Sequence, residues 1–240
     1  MSIIANSEQI PELAAFGIRA FTTTRAVGSF ALQSDEPARV ITERWAALRA
    51  ELSPGGPRLA TASQVHGDRV VVHHDCWDGW LRAADADGHV STSRGTALAV
   101  TVADCVPVFI AHPSGAIALL HSGWKGTAAR IVERGIHALA QRGFPAAELL
   151  VHTGPAICGK CYEVSPDVYA RLTGVTPETS KTIDLRDLIA THARAAGVRN
   201  VSTTASCTRC DNERFYSHRA GDSGRQLGVM IADAHAPPLT

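Results

Sequence analysis

The sequence predicts an α/β domain in which β-strands alternate with amphipathic helices. Two apolar runs, at 98–111 and 116–122, are rich in β-branched residues and have the length of buried strands. Two other stretches, at 37–52 and 126–142, place their apolar residues on one face of a helix. No internal repeat, low-complexity tract or long linker divides the chain, so we expect one domain rather than two.

The elements follow in chain order from the same patterns. Strands are predicted at 18–25, 59–65, 69–73, 89–92, 98–111, 116–122, 149–153, 198–204 and 227–232. Helices are predicted at 37–52 and 126–142, with a short helix from Pro166 and a further helix from Asp184 to Gly197. We expect residues 53–57 and Gly143 to end the first two helices, and Ser165 and Asp184 to cap the last two.

The charge balance excludes several classes of partner. The formal net charge is zero with the eleven histidines counted as neutral, and the lysines and arginines are scattered along the chain. A nucleic acid or an anionic membrane would require a basic patch, so neither is an expected partner. No signal-peptide core is present, and no run reaches the roughly 18 apolar residues of a spanning helix. We therefore expect a soluble, cytoplasmic protein.

Four of the six cysteines form two Cys-x-x-Cys pairs, Cys158 with Cys161 and Cys207 with Cys210. In a reducing compartment such pairs are metal ligands, reactive thiols or ordinary buried residues. A zinc site built from both pairs is disfavoured, because two predicted helices lie between them and exceed the usual spacing of a zinc ribbon. We expect these cysteines to be buried thiols or residues that line a pocket.

The stretch 101–126 concentrates the chemistry of the chain. Asp104 and Cys105 lie within one apolar run, and His121 ends the next one before a glycine-rich turn. Cys105 and His121 alone would suit a nucleophile and its base. With His66, from SQVHGD, they become two imidazoles and a thiolate, the ligand set of a catalytic zinc with one open coordination position. A water there would have its pKa lowered towards about 7.

The remaining histidines give weaker signals. His73 and His74 are expected on a solvated strand edge, and His152 and His218 stay undecided because each lies beside a glycine- or arginine-rich turn. Four others lie in ordinary contexts: His112, His137, His192 and His235.

Five motifs resemble one known family in its own order. They are SQVHG (63–67), ADCVPV (103–108), HSGWKGT (121–127), GPAICGKCYEV (154–164) and ERFYSHRAGDSGRQLGV (213–229). The family is that of the YfiH-type proteins, long labelled polyphenol oxidase or laccase-domain proteins and later described as purine nucleoside phosphorylases with adenosine deaminase activity. The resemblance implies one domain over 1–240 with its core at about 18–233, folded as a four-layer α-β-β-α sandwich with mixed sheets.

The same resemblance implies a cofactor and a reaction. Zinc would be held by His66, Cys105 and His121, and copper would also load such a site in vitro, since it stands near the top of the affinity order. The implied reaction is phosphorolysis of adenosine, inosine or S-methyl-5′-thioadenosine to the free base and pentose 1-phosphate. Hydrolytic deamination of adenosine is the second activity, so purine nucleosides and phosphate are the expected partners.

Family motifs also mark candidate substrate residues. The candidates for phosphate or nucleoside contacts are Arg25, Ser29, Gln64, Lys125, Arg219 and Arg225. Lys125 stands where family members commonly carry arginine, and lysine lacks the bidentate fork that suits phosphate. The segment 26–37 is shorter than its family counterpart. Both departures bear on the range of substrates.

Three alternatives stay open or disfavoured at this point. A metal-independent cysteine hydrolase would use Cys105 with His121 as its base, and a non-enzymatic domain would use zinc for stability alone. A multi-copper oxidase is disfavoured, because the chain has two methionines and no His-x-His pair.

Overall fold

The computed structural model describes residues 2–52 and 58–234. The expected helix stop at 53–57 and His235 lie outside the described residues. The helices are α1 (Ala38–Leu52), α2 (Trp124–Ala128), α3 (Ile131–Ala140), α4 (Pro166–Thr173) and α5 (Leu185–Ala195). Within the described ranges, none of the helices has the length and apolar character needed to cross a membrane.

Two large mixed sheets carry most of the strands. In the first sheet the strands lie in the order β1 (Ser7–Gln9), β2 (Ile18–Thr23), β14 (Gln226–Ala232), β7 (Thr96–Val102), β3 (Arg58–Ala62) and β5 (Trp80–Ala83). In the second they lie in the order β13 (Asn200–Thr203), β10 (Leu150–Thr153), β8 (Val106–Ala111), β9 (Ile117–Ser122), β6 (Gly88–Ser91) and β4 (Val70–His73). A small ribbon pairs β11 (Glu163–Val164) with β12 (Lys181–Thr182).

Three apolar clusters stack these elements into four layers. Helix α1 packs Trp45 against the outer face of the first sheet. Between the two sheets, Met230 and Phe109 belong to one shared cluster. On the outer face of the second sheet lie Ile136 of α3 and Ile189 of α5. Full burial of one such side chain stabilises the fold by about 1.5–3 kcal/mol. The expected four-layer α-β-β-α sandwich is confirmed.

The run 98–111 is two strands rather than the single strand expected from sequence. Strand β7 belongs to the first sheet and β8 to the second, so the chain changes sheets between them. Asp104 makes this change in the left-handed region, with φ 79°. Its carboxylate accepts hydrogen bonds from Thr208 Oγ1 at 2.6 Å and from Arg219 N at 2.7 Å. These bonds hold a conformation that non-glycine residues rarely adopt.

The helix expected over 126–142 is likewise divided. It begins earlier, at Trp124, and is interrupted between α2 and α3, where Arg130 has φ 60°. Helical periodicity continues across such a break, which explains why the sequence pattern did not reveal it. Gly143 follows α3 with φ 88°, and Asp184 caps α5 by accepting a hydrogen bond from Arg186 N. Four short strands, β1, β5, β11 and β12, were not predicted.

The expectation that His73 lies on a solvated strand edge is wrong. His73 is buried, and its Nε2 lies 2.9 Å from Nδ1 of the fully buried His89 on the neighbouring strand β6. Burial first, and then the neighbouring His74, lower the pKa of His73 to about 4. Burial and the charge of His73 lower the pKa of His89 to about 3. The pair is therefore neutral in the folded protein near neutral pH.

This pair should make the protein acid-sensitive. Below the unfolded pKa of 6.5 the unfolded chain binds protons that the folded protein refuses, so stability falls as the pH drops from 6.5 towards 4. Replacing the pair together, His73→Phe with His89→Leu, should reduce the stability lost between pH 7 and pH 5 by about 4 kcal/mol, or about 2 kcal/mol for each histidine. Urea unfolding at both pH values measures this. The control His137→Gln, at an exposed position, should lose as much stability between pH 7 and pH 5 as the wild type. An equal loss in the double variant would contradict the role of the neutral His73–His89 pair.

Candidate active site and metal centre

Three predicted ligands meet at the connections between the two sheets. The ligand atoms of His66, Cys105 and His121 all lie within 4.8 Å of one another. His66 follows β3 of the first sheet, Cys105 lies between β7 and β8, and His121 belongs to β9 of the second sheet. His121 is buried, Cys105 is half-buried and His66 is exposed, so the group is open to solvent on one side.

Asp87 holds two of these ligands and was missed by the sequence analysis. It is fully buried, and its Oδ1 accepts hydrogen bonds from His121 Nδ1 at 2.8 Å and from His66 N at 2.9 Å. Its Oδ2 accepts from Gly67 N at 2.7 Å and from Val65 N at 3.2 Å. Because the bond to Asp87 occupies Nδ1 of His121, the other ring nitrogen is left for a ligand. The only signal in sequence was an acid directly before a buried strand.

The electrostatics of the group favour a thiolate. Burial opposes ionisation of Cys105, but the charges of His121 and His66 and their hydrogen bonds outweigh it and lower the pKa of this thiol. Burial likewise disfavours a charged His121, but Cys105 and the Asp87 carboxylate outweigh it and raise the pKa of this imidazole. A deprotonated thiol is the form that binds metals.

The local backbone leaves room for an ion. His66 adopts the left-handed region with φ 61°, and the three backbone hydrogen bonds to Asp87 hold that turn. A Cβ placed on Gly123 would lie 2.9 Å from Cys105 Sγ and 3.3 Å from His66 Cδ2, so any side chain there would intrude on the ligands. Two imidazoles, one thiolate and an uncrowded fourth side fit a zinc ion.

A cavity of about 430 Å³ opens over the three ligands. Its apolar wall includes Phe30, Trp45 and Trp80, and its polar lining includes Thr61, Ser63, Gln64, Arg82, Thr101, His218, Ser223 and Arg225. This volume is in the range of small-molecule sites. A larger depression of about 830 Å³ lies along α3, but none of the three ligands lines it. We therefore place the candidate active site in the smaller cavity.

Two of the six predicted substrate residues line this cavity, Gln64 and Arg225. Both ends of the Gln64 amide bind Thr101: Nε2 donates to its carbonyl at 2.8 Å, and Oε1 accepts from its N at 2.8 Å. Gln64 thus ties the end of β3 to β7. Arg225 donates from Nη1 to three carbonyls of its own turn, the closest that of Gly224 at 2.7 Å. Ser29 is buried beside it and accepts from Arg225 N.

The other three predicted cations do not line the cavity. Arg25 is paired with Asp222 at 2.6 Å and lies over the Tyr216 ring. Arg219 lies over the Tyr162 ring at 5.1 Å and donates to a backbone carbonyl. Lys125, in the first turn of α2, is exposed with its Nζ 5.7 Å from the Trp124 ring.

Sequence reasoning missed one cation that does line the cavity. Arg82 lies on β5, the edge strand that was not predicted, and its side chain is exposed with no ion pair or hydrogen bond to the described residues. Of the two undecided histidines, His218 lines the cavity. His152 lies elsewhere, with Nδ1 bonded to Ser202 and Glu12.

The two Cys-x-x-Cys pairs come together in space. The Sγ atoms of Cys158, Cys161, Cys207 and Cys210 all lie within 4.8 Å of one another. Only Cys207 is buried, and none of the four lines the cavity. The expectation of buried thiols or pocket residues is therefore wrong for most of them. Helices α4 and α5 do lie between the pairs in sequence, but the chain returns, and a β-bridge joins Ala156 to Cys207.

Comparison with known proteins places this site in context. The family model described as multi-copper polyphenol oxidoreductase laccase matches residues 23–233. A purine nucleoside phosphorylase of Streptomyces coelicolor is 34% identical over 207 residues, which are 83% of this chain and 85% of that protein. An adenosine deaminase from an unknown prokaryotic organism is 30% identical over an alignment of 247 positions, which covers 89% of this chain and 90% of that protein. The crystal structure of the hypothetical protein YfiH of Bacillus licheniformis has a TM-score of 0.84 at 23% identity, over 94% of this chain and 96% of that one, and so shares the fold.

Proposed function

Because the chain belongs to the multi-copper polyphenol oxidoreductase laccase family, the YfiH-type family that its motifs predicted, we propose that it is a zinc-dependent purine nucleoside phosphorylase. Adenosine, inosine and S-methyl-5′-thioadenosine are the proposed substrates, with adenosine deamination as a second activity. The observation that carries the proposal is a nucleoside-sized cavity with three metal-competent ligands on its floor. The relatives named as a purine nucleoside phosphorylase and an adenosine deaminase support the same class of substrate.

The walls of the cavity suit the two halves of a nucleoside. Trp80 is the half-buried aromatic residue of this lining, and the flat face of a purine can pack on it. Trp45 is buried and stacks on Trp80 with ring centroids 4.8 Å apart. Ser63 lines the same cavity, and its hydroxyl group can meet the polar edges of the base or the sugar.

Arg82 and Arg225 are the proposed phosphate ligands. Both line the cavity, and guanidinium groups bind phosphate oxygens through paired N–H donors. Arg82 has no partner among the described residues, and Arg225 uses only Nη1 within its turn. In phosphorolysis a phosphate oxygen forms a bond to C1′ while the C1′–N9 bond breaks and its electron pair leaves with the base. His218 also lines the cavity and is the proposed donor of a proton to that base.

His66, Cys105 and His121 are the proposed holders of the zinc ion. When bound there, zinc would supply Lewis-acid polarisation and lower the pKa of a water at its open position. Asp87 keeps the His121 ring oriented through the 2.8 Å bond to Nδ1. The backbone of His66 is fixed by the same carboxylate, so one buried residue sets the positions of two ligands.

Product analysis tests this proposal. The purified protein, with its metal content measured, is incubated with adenosine in the presence and absence of phosphate, and the purines are separated by chromatography. Phosphorolysis produces adenine only when phosphate is present, and deamination produces inosine without it. Adenosine that stays unchanged under both conditions would overturn the proposal in favour of a binding domain. Zinc that the wild type holds and that the Cys105→Ala protein loses would exclude the metal-independent cysteine hydrolase.

A further inference from the structure

We propose that Cys158, Cys161, Cys207 and Cys210 form a second metal site, in which four thiolates hold one structural zinc ion apart from the active site. In a regular tetrahedron with Zn–S bonds of about 2.3 Å, neighbouring sulfur atoms are about 3.8 Å apart. The Sγ atoms of Cys158 and Cys210 are 4.0 Å apart, and those of Cys161 and Cys210 are 3.4 Å apart. These distances bracket the tetrahedral value and exceed the roughly 2.05 Å of a disulfide.

The backbone around the sulfurs is shaped to hold a negative charge. Cys207 Sγ accepts hydrogen bonds from Cys158 N at 3.2 Å and from Cys210 N at 3.4 Å. Each Cys-x-x-Cys pair lies on a turn: Cys161 N donates to the Cys158 carbonyl, and Asp211 N donates to the Cys207 carbonyl. Such turns aim both thiols of a pair to one side, as tetrathiolate zinc sites require.

A buried cation lies beside the segment that leads into Cys207. Arg186 is buried and donates from Nη1 to the carbonyls of Thr204 and Ser206, each at 3.0 Å. Its guanidinium is held by Asp184, which also accepts a hydrogen bond from Gly159 N, next to Cys158. Four thiolates and one Zn²⁺ would carry two negative charges. The Arg186 guanidinium interacts electrostatically with Cys158 and Cys207, although it is also paired with Asp184.

The site is closed and has a structural consequence for the active site. All four ligands come from the protein, so no open position is left for a substrate. The ion would bind the turn at 158–161 to the turn at 207–210. The backbone already links the two turns, since Thr208 N donates a hydrogen bond to the Ala156 carbonyl at 3.1 Å. Both segments form hydrogen bonds with Asp104. Thr208 Oγ1 donates to its Oδ1 at 2.6 Å, and Ile157 N donates to its carbonyl at 3.1 Å.

Asp104 directly precedes Cys105, so the four-cysteine site supports the turn that presents the active-site thiol. The two metal groups share no residue. Loss of the four-cysteine ion should therefore loosen this turn without removing any ligand of the active site.

Metal counting on matched variants tests the proposal. The wild type should carry two zinc ions per chain, Cys105→Ala one and Cys210→Ser one, while Cys76→Ser, an exposed cysteine outside both groups, should keep two. After substitution with cobalt(II), the thiolate-to-metal absorption of a tetrathiolate should persist in Cys105→Ala and disappear in Cys210→Ser. The Cys210→Ser protein should also have a lower Tm than Cys76→Ser.

If Cys210→Ser does not fold, the cobalt spectrum of Cys105→Ala still tests the proposal, because the Cys105→Ala protein has all four cysteines intact. Three results would overturn it: a Cys105→Ala protein without any metal, a coloured protein that contains iron at the four cysteines, or a disulfide between them in protein purified under reducing conditions. None of these outcomes depends on nucleoside turnover, so the proposed function and the second metal site can fail separately.

Discussion

Replacing Asp87 with asparagine is expected to weaken zinc binding at the active site about 10- to 100-fold and to lower the free energy of unfolding by about 3 kcal/mol. Each carboxylate oxygen accepts two hydrogen bonds. Oδ1 accepts from His121 Nδ1 and His66 N, and Oδ2 accepts from Val65 N and Gly67 N. An asparagine of the same shape must turn its NH₂ group towards one of these pairs. Two donors that Asp87 now pairs would then face a donor instead of an acceptor, which costs their hydrogen bonds and part of their desolvation.

Competition with a zinc chelator and urea unfolding measure the two effects. Asp85→Asn is the matched control, because Asp85 is exposed, lies two residues away and has φ 45°, a conformation that asparagine tolerates well. The control should keep the zinc affinity and stability of the wild type. If Asp87→Asn kept them as well, Asp87 would not be the residue that orients His121.

The Cys105→Ala protein is expected to lose more than about 100-fold in kcat/KM for adenosine, since removal of a ligand should exceed the 10- to 100-fold effect of removing a residue that only orients one. The protein should stay folded, because Cys105 is half-buried and lies in a loop between strands. Cys76→Ala should retain full activity. Circular dichroism and steady-state kinetics on both variants provide the measurement.

His66→Ala separates the metal centre from a cysteine–histidine pair. A hydrolase that used Cys105 as nucleophile and His121 as base would retain most of its activity without His66. A metal held by all three residues would be lost or weakened, and activity would fall together with zinc content. Retained turnover in His66→Ala alongside an inactive Cys105→Ala would therefore favour the metal-independent enzyme.

The convergence of His66, Cys105 and His121 could be predicted from sequence because each stands near a predicted strand end within a short motif of reactive side chains. Asp87 could not, since its role depends on four hydrogen bonds to groups that are distant in sequence from it. The turn at Asp104 was hidden for a different reason. An apolar run of fourteen residues has the same pattern whether it forms one strand or two strands in different sheets.

The cysteine pairs illustrate a limit of spacing rules. The distance between Cys161 and Cys207 along the chain argued against a common site, yet a spacing rule describes only compact modules in which the intervening chain is short. Here two helices lie between the pairs and pack on the outer face of the second sheet. The two ends of this helical segment lie close together because a β-bridge joins Ala156 to Cys207.

The position of the three candidate ligands at the connections between the two sheets should also affect how long the folded protein survives. His66 and Cys105 lie in two connections that run from the first sheet to the second, and His121 belongs to the second sheet. An ion bound by all three would tie both connections to the second sheet at this end of the sandwich. A bound ion would therefore have to be released, or its bonds broken, before the sheets part, and we expect it to lower the unfolding rate constant. It should not speed folding to the same degree, because the ligands meet only after distant strands have paired. The metal would then lengthen the half-life of the native state, a form of kinetic stability.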